Sequence, residues 1–251
     1  MIPKVIHYCW FGGNPLPESV KKCIESWKKY CPEYEIIEWN ESNYDVAKND
    51  YLRKMYSQRK YAFVSDFARL DIIYHNGGIY LDTDVELIKN LDSLLFQDCY
   101  MGCELPGEVN TGLGFGAQKG HEFLLENLSA YLNGEADGKT CVEVTTALLK
   151  KRGLNANQEI QEIESVKVYP TEYFCPLNMG TNKLLITDAT YSIHHYDSSW
   201  YGSGVRATIK KSLIPFKVML KRNVNNVFGD GVYEQMKSTA KKYLNEPENI
   251  N

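Results

Sequence analysis

Residues Val64-Ser65-Asp66-Phe67-Ala68-Arg69-Leu70-Asp71-Ile72-Ile73-Tyr74-His75-Asn76-Gly77-Gly78-Ile79-Tyr80-Leu81-Asp82-Thr83-Asp84-Val85 decide the fold class of this chain. Phe63, Phe67, Leu70, Ile73 and Tyr74 recur at helical spacing, so the segment reads as a helix with one buried face and with Asp66, Arg69 and Asp71 on its other faces. Gly77 and Gly78 follow at once and supply the left-handed backbone on which helices stop. Ile79-Tyr80-Leu81 is too short for a second helix and reads as a core strand. Asp82-Thr83-Asp84 then falls at the strand end, where open α/β sheets bind ligands. On an extended backbone the two aspartates point the same way, and neighbouring carboxylates repel unless a cation lies between them. A hard divalent ion with oxygen ligands fits, with positions left open for substrate phosphates. The triplet alone is a weak pattern whose ordinary reading is a solvated acidic turn. Its weight comes from Ser65, Asp66, Arg69 and the Gly-Gly stop in the same window.

Outside this window, strand and helix patterns alternate. Strands are predicted at 4–10, 34–39, 100–103, 113–117, 166–169 and 191–195, and helices at 17–30, 50–59, 121–132 and 141–152, with a helical turn at 91–96. This alternation predicts an α/β domain with a mostly parallel sheet and helices on both faces. Gly112-Leu113-Gly114-Phe115-Gly116-Ala117 satisfies a loose dinucleotide-loop pattern, but it lies mid-chain with no convincing apolar strand before it. It reads instead as a strand whose missing side chains let backbone or sugar approach closely.

The 251 residues, 43% hydrophobic and 12% aromatic, can bury a sizeable core, and the organisation expected is a domain over 1–204 with an appendage over 205–251. A net charge of −4 argues against a general nucleic-acid binder. Seven cysteines, an odd number without a Cys-x-x-Cys pair, read as reduced core thiols. The chain opens on Met1-Ile2-Pro3-Lys4 and a strand without a signal-peptide pattern, and no run approaches a membrane span, so a cytoplasmic location is expected.

The Asp82–Asp84 window resembles the signature of glycosyltransferase family 32, the sugar transferases with a DxD motif, and more distantly the catalytic core of the large glucosylating toxins. Ile2-Pro3-Lys4-Val5-Ile6-His7-Tyr8-Cys9-Trp10-Phe11-Gly12-Gly13 is similar to the family's opening strand and loop, and His194-His195-Tyr196-Asp197-Ser198-Ser199-Trp200 to its closing His-x-x-x-Ser-Trp segment. The resemblance implies a Rossmann-like GT-A fold and transfer of a sugar from a nucleotide diphosphate, a UDP-sugar by analogy, to a glycan or lipid-linked glycan acceptor with retention of configuration. It makes Asp84 the direct metal ligand, with Asp82 on the ribose or reaching the metal through water, and assigns His195 and Ser198 to the closing metal and phosphate positions. Imidazole with carboxylate suits Mn²⁺, with Mg²⁺ as the alternative. Trp200 is implied over the diphosphate, Trp10 against the base, Asp66 on sugar hydroxyls, Arg69 near sugar and phosphate, and Tyr80 and Asn110 on the donor side. Structural readings stand beside these: an Asp66–Arg69 ion pair, a core Trp10, a packed Tyr80, a turn-forming Asn110.

No carboxylate in the sequence must be a covalent nucleophile, which favours front-face transfer. From Arg206 to Arg222, Lys210, Lys211, Lys217 and Lys221 interleave with apolar residues, which reads either as a contact with an anionic membrane surface or as a helix packed on the domain. Two other classes compete with the transferase. An aspartyl phosphohydrolase presents its Asp-x-Asp strand near the start of the domain, whereas here a long segment precedes it. A non-catalytic sugar-binding relative would have a broken metal triad, and Asp82, Asp84 and His195 are all present.

Overall fold

Strand β1 (Val5–Cys9) is flanked on both sides by parallel partners, β2 (Glu35–Trp39) and β3 (Gly78–Tyr80). The computed structural model describes residues 1–178 and 183–196, with four helical positions beyond, at 220, 224, 232 and 236. Helix α1 (Glu18–Tyr30) connects β1 to β2, and its buried stripe Val20, Cys23, Ile24 and Trp27 matches the predicted spacing. Helices α2 (Asp50–Ser57) and α3 (Tyr61–Asn76) connect β2 to β3. After β3 the chain passes through β4 (Val85–Leu87), a 3₁₀ turn (Asp92–Leu94), β5 (Cys99–Leu105), β6 (Glu108–Asn110) and β7 (Phe115–Ala117). It continues through α4 (Glu122–Leu132), α5 (Cys141–Lys150), β8 (Gln161–Ile163), β9 (Val166–Tyr169) and α6 (Thr171–Phe174). The short pair β10 (Leu177–Asn178) and β11 (Lys183–Leu184) precedes β12 (Ser192–His194).

The main sheet runs β2-β1-β3-β7-β5-β9-β8, with β6 on β5. Strands β2, β1, β3, β5 and β9 point one way, and β7, β6 and β8 the other. Strand side chains alternate between two cores. Tyr80, Cys99 and Met101 join residues of α2, α3, α4 and α5 on one face, while Ile79 and Tyr100 join α1 and α6 on the other. The α/β class with both faces covered is therefore as the sequence predicts. Strands β4, β6, β8, β10 and β11 and helix α6, of two to four residues each, lie outside the predicted elements.

The chain divides into two compact units, Met1–Leu177 with Leu184–Trp200, and Asn178–Lys183 with Tyr201–Asn251. The boundary expected at 204/205 and the basic segment 206–222 lie outside the described residues, Leu220 apart. All seven cysteines are buried and unbridged. Among the described residues no helix is long and apolar enough to cross a membrane.

The turn from α3 into β3 is fixed by two glycines and a histidine. Gly77 and Gly78 have φ of 71° and 102°, and a Cβ on Gly78 would stand 2.8 Å from His7 Nε2. Trp39 Nε1 donates to His7 Nδ1 at 3.0 Å, so Nε2 carries the ring proton and donates to the Gly77 carbonyl at 3.1 Å. Burial lowers the His7 pKa from 6.5 to about 4, against the opposing pull of the Gly77 carbonyl. An unfolded chain takes up this proton near pH 6.5 and the folded chain only near 4, so stability present above pH 6.5 is lost as pH falls to 4. The loss is about 3 kcal/mol. Urea midpoints measured across that range should fall less steeply for His7→Gln, which keeps a donor and an acceptor but does not titrate.

Candidate active site

Leaving β3, the chain turns sharply rather than continuing extended, with the Val85 N–H donating to the Asp82 carbonyl at 3.1 Å. Helix α1 holds the far side of this turn: Trp27 Nε1 donates to the Val85 carbonyl at 2.7 Å, and the Leu87 N–H donates to Ser26 Oγ at 2.9 Å. Asp82 Oδ1 accepts from Arg69 Nη2 and from Tyr80 Oη, both at 3.0 Å. Burial pushes the Tyr80 phenol well up, which keeps it a donor. The Asp82 N–H donates to the Gly112 carbonyl at 3.0 Å, and a Cβ on Gly112 would lie 2.0 Å from Asp82 Oδ2. Gly112 is therefore required by space, and the glycine run is a place of close approach, as the sequence suggests. Its continuation, β7, is a central strand between β3 and β5 rather than a phosphate loop.

Arg69 is the buried hub. Its side chain is 5% exposed, and its guanidinium meets Asp66 Oδ1 at 3.2 Å, Asp82 Oδ1 at 3.0 Å and Thr111 Oγ1 at 3.4 Å, with its carbon 5.0 Å from the Tyr80 ring centre. Burial opposes the guanidinium charge, and Asp82, Tyr80 and Asp66 outweigh it, so the pKa stays well above the ordinary value. Burial also raises the Asp66 pKa, Arg69 opposing it. The structural reading of Asp66 with Arg69 is thus correct as far as it goes, but Asp82 shares the same guanidinium. The sequence placed Asp66, Arg69 and Asp71 on faces other than the buried one. In the structure all three are buried, because α3 packs against α2, α4 and β1 and the charges find partners inside.

A second strand closes the site. β12 pairs antiparallel with β4, with His194 opposite Val85, and the His195 N–H donates to the Asp84 carbonyl at 2.9 Å. His194 Nε2 lies 3.2 Å from Asp84 Oδ1, whereas His195 Nε2 turns away to Glu86 Oε2 at 2.8 Å. The imidazole at the acidic turn is thus His194, not the expected His195. Successive residues at this strand end project to opposite sides, so only one histidine can reach Asp84. Burial lowers the His194 pKa and Asp84 raises it, with a net value well above the ordinary one. Asp82, Asp84 and His194 each offer one ligand atom, all within 4.8 Å of one another. Two carboxylates and an imidazole fit a first-row divalent cation.

Residues 17–101 match the family described as "Glycosyltransferase sugar-binding region containing DXD motif". This segment is thus similar to a DXD glycosyltransferase sugar-binding region. Inositol phosphoceramide mannosyltransferase 3 of Schizosaccharomyces pombe is 34% identical over 133 residues, 50% of this chain and 36% of that protein. Lactosylceramide 4-alpha-galactosyltransferase of Rattus norvegicus is 27% identical over 165 residues, 60% and 45% respectively. The chain thus spans less than half the length of these two relatives. A solved structure, PaToxG Glycosyltransferase, is 22% identical, with a TM-score of 0.49 over 60% of this chain and 68% of that one.

Around the DXD turn the remaining expected residues separate. Tyr80 is 1% exposed, and its hydroxyl supports Asp82, so it buttresses the turn from the core. Asn110 forms the turn that its residue type allows, its Oδ1 accepting from the Gly112 N–H at 2.6 Å. Trp10 is half-buried, its Nε1 donating to the Asn14 carbonyl at 2.6 Å. Ser198 and Trp200 lie outside the described residues. The sequence reading missed Cys141 and Glu104 at the DXD site, and did not tie Gly112 to Asp82. Cys141 opens α5, which is set by a Thr140–Glu143 capping box, and its Sγ lies 3.6 Å from Arg69 Nη1. The Thr-x-x-Glu spacing was the available signal for where that helix begins.

Proposed function

We propose that the protein is a metal-dependent glycosyltransferase that moves a sugar from a nucleotide diphosphate sugar to a glycan acceptor with retention of configuration. The convergence of Asp82, Asp84 and His194 on one turn, with Arg69 behind it, carries this reading. These three residues would hold Mn²⁺ or Mg²⁺, which when bound neutralises charge developing on the diphosphate leaving group. Arg69 keeps Asp82 in place, and its planar fork and that of the donor's oxygens are matched in shape. Asp66 and Asp82 are both engaged by Arg69, which argues against either as a covalent nucleophile and favours front-face transfer. The same engagement disfavours an aspartyl phosphohydrolase. The presence of all three ligand candidates disfavours a non-catalytic relative.

The two relatives named above differ in sugar, mannosyl against galactosyl, while both names carry a ceramide acceptor. That supports a lipid-linked glycan acceptor, and with it a peripheral position on the cytoplasmic face of a membrane in surface polysaccharide or oligosaccharide synthesis. A UDP-sugar is the favoured donor. Incubating the protein with a panel of UDP- and GDP-sugars and Mn²⁺ should release free nucleotide from one donor above the others, and EDTA should stop it. Release from none, or release indifferent to EDTA, would overturn the reading. Mn²⁺ titration followed by electron paramagnetic resonance separates the histidines: His194→Ala should weaken binding at least roughly tenfold, and His195→Ala by less than about twofold.

A further inference from the structure

The pairing of β5 with β6 is irregular at one place: Gly102 faces Asn110 and Cys103 faces Val109, then the register shifts and Leu105 faces Glu108. Glu104 lies at this shift, and bulges beside active sites commonly re-aim a side chain. Glu104 Oε2 accepts from Asn110 Nδ2 at 2.5 Å. That bond orients the Asn110 amide so that its Oδ1 receives the Gly112 N–H at 2.6 Å. Gly112 in turn accepts the Asp82 N–H on its carbonyl and leaves the space that Asp82 Oδ2 fills. Each link joins adjacent groups, and the last is the first acid of the metal-binding candidates.

We infer that Glu104 is a positioning residue for the DXD turn, acting through Asn110 and the Gly112 backbone on Asp82. The inference rests on the glycosyltransferase reading only for its kinetic consequence; its structural part stands apart from any donor. Without an acceptor for Nδ2, the Asn110 amide is free to rotate, its hold on Gly112 loosens, and Asp82 loses a fixed backbone partner.

Hydrogen exchange read by NMR on the unliganded protein tests the structural part. In Glu104→Leu the amides of Gly112 and Asp82 should exchange roughly tenfold faster, as loss of one buried hydrogen bond implies, with Ile79 and Gly116 in the neighbouring strands unchanged. Glu104→Gln, which keeps an acceptor, should stay within about twofold of the parent. Glu104→Asp, too short to reach Asn110, should move in the same direction as Leu and serves if the Leu variant does not fold. In donor hydrolysis, kcat/KM should fall roughly tenfold for Leu and recover for Gln, and Glu104→Leu should add nothing in an Asn110→Ala background. Unchanged exchange at both amides, a Gln variant as impaired as Leu, or additive losses in the double variant would overturn the inference. Failure of the parent to hydrolyse any donor leaves the exchange result to decide it.

Discussion

Asp84→Asn is expected to leave a folded protein whose donor hydrolysis is slower by on the order of 10²–10³-fold, the usual cost of removing one preorganised electrostatic group. Asparagine keeps the volume and one oxygen toward His194, and the bonds that shape the turn are made by backbone. Val85 N–H still closes on the Asp82 carbonyl and the His195 N–H still reaches the Asp84 carbonyl. What disappears is a unit of negative charge, 17% exposed to solvent, beside His194. The melting temperature should therefore stay within a few degrees while nucleotide release and Mn²⁺ affinity collapse together. Asp82→Asn should behave differently, lowering both activity and melting temperature, because Asp82 Oδ1 also completes the Arg69 and Tyr80 contacts. Near-parental turnover in Asp84→Asn would remove the metal role.

What could be read from the sequence was whatever is encoded within one turn or one strand of itself. The helix over Tyr61–Asn76, its Gly77-Gly78 end and the strand beyond follow from local periodicity and backbone freedom, and the acidic turn follows from them. The choice between His194 and His195 did not, since it depends on antiparallel pairing with β4, a three-residue strand distant in sequence and itself illegible. The burial of Asp66 and Arg69 was hidden for a related reason. A helix covered on opposite sides has no polar face to announce, and the charges inside are tolerated only because a distant aspartate completes them. Gly112 read as a place where backbone or sugar could approach closely, and only the structure shows that the Asp82 carboxylate is what approaches.

Arg69→Met tests how much of the fold depends on the site. The side chain is 5% exposed and stands between Asp66, 12% exposed, and Asp82, 27% exposed. Methionine fills similar space but leaves both carboxylates without their cation. Breaking a buried pair in this way costs about 3–5 kcal/mol, which at about 2–4 °C per kcal/mol for a domain of this size lowers the melting temperature by roughly 10 °C. The deficit should depend on pH. Burial already raises the Asp66 pKa and Arg69 restrains it, so removal of Arg69 lets it rise further above the unfolded value. The folded variant then holds a proton that its unfolded chain releases, and its stability drops as pH climbs from the unfolded carboxylate pKa toward the folded one. Calorimetric scans should accordingly find the variant closer to the parent at pH 5 than at pH 8. Arg69→Lys should recover part of the melting temperature through charge but little activity, because an ammonium lacks the separate donors by which Nη1 reaches Thr111 and Nε the Ser65 carbonyl while Nη2 holds both carboxylates. A Met variant with parental melting at pH 8 would mean that the two carboxylates are not bound to Arg69 as the geometry indicates.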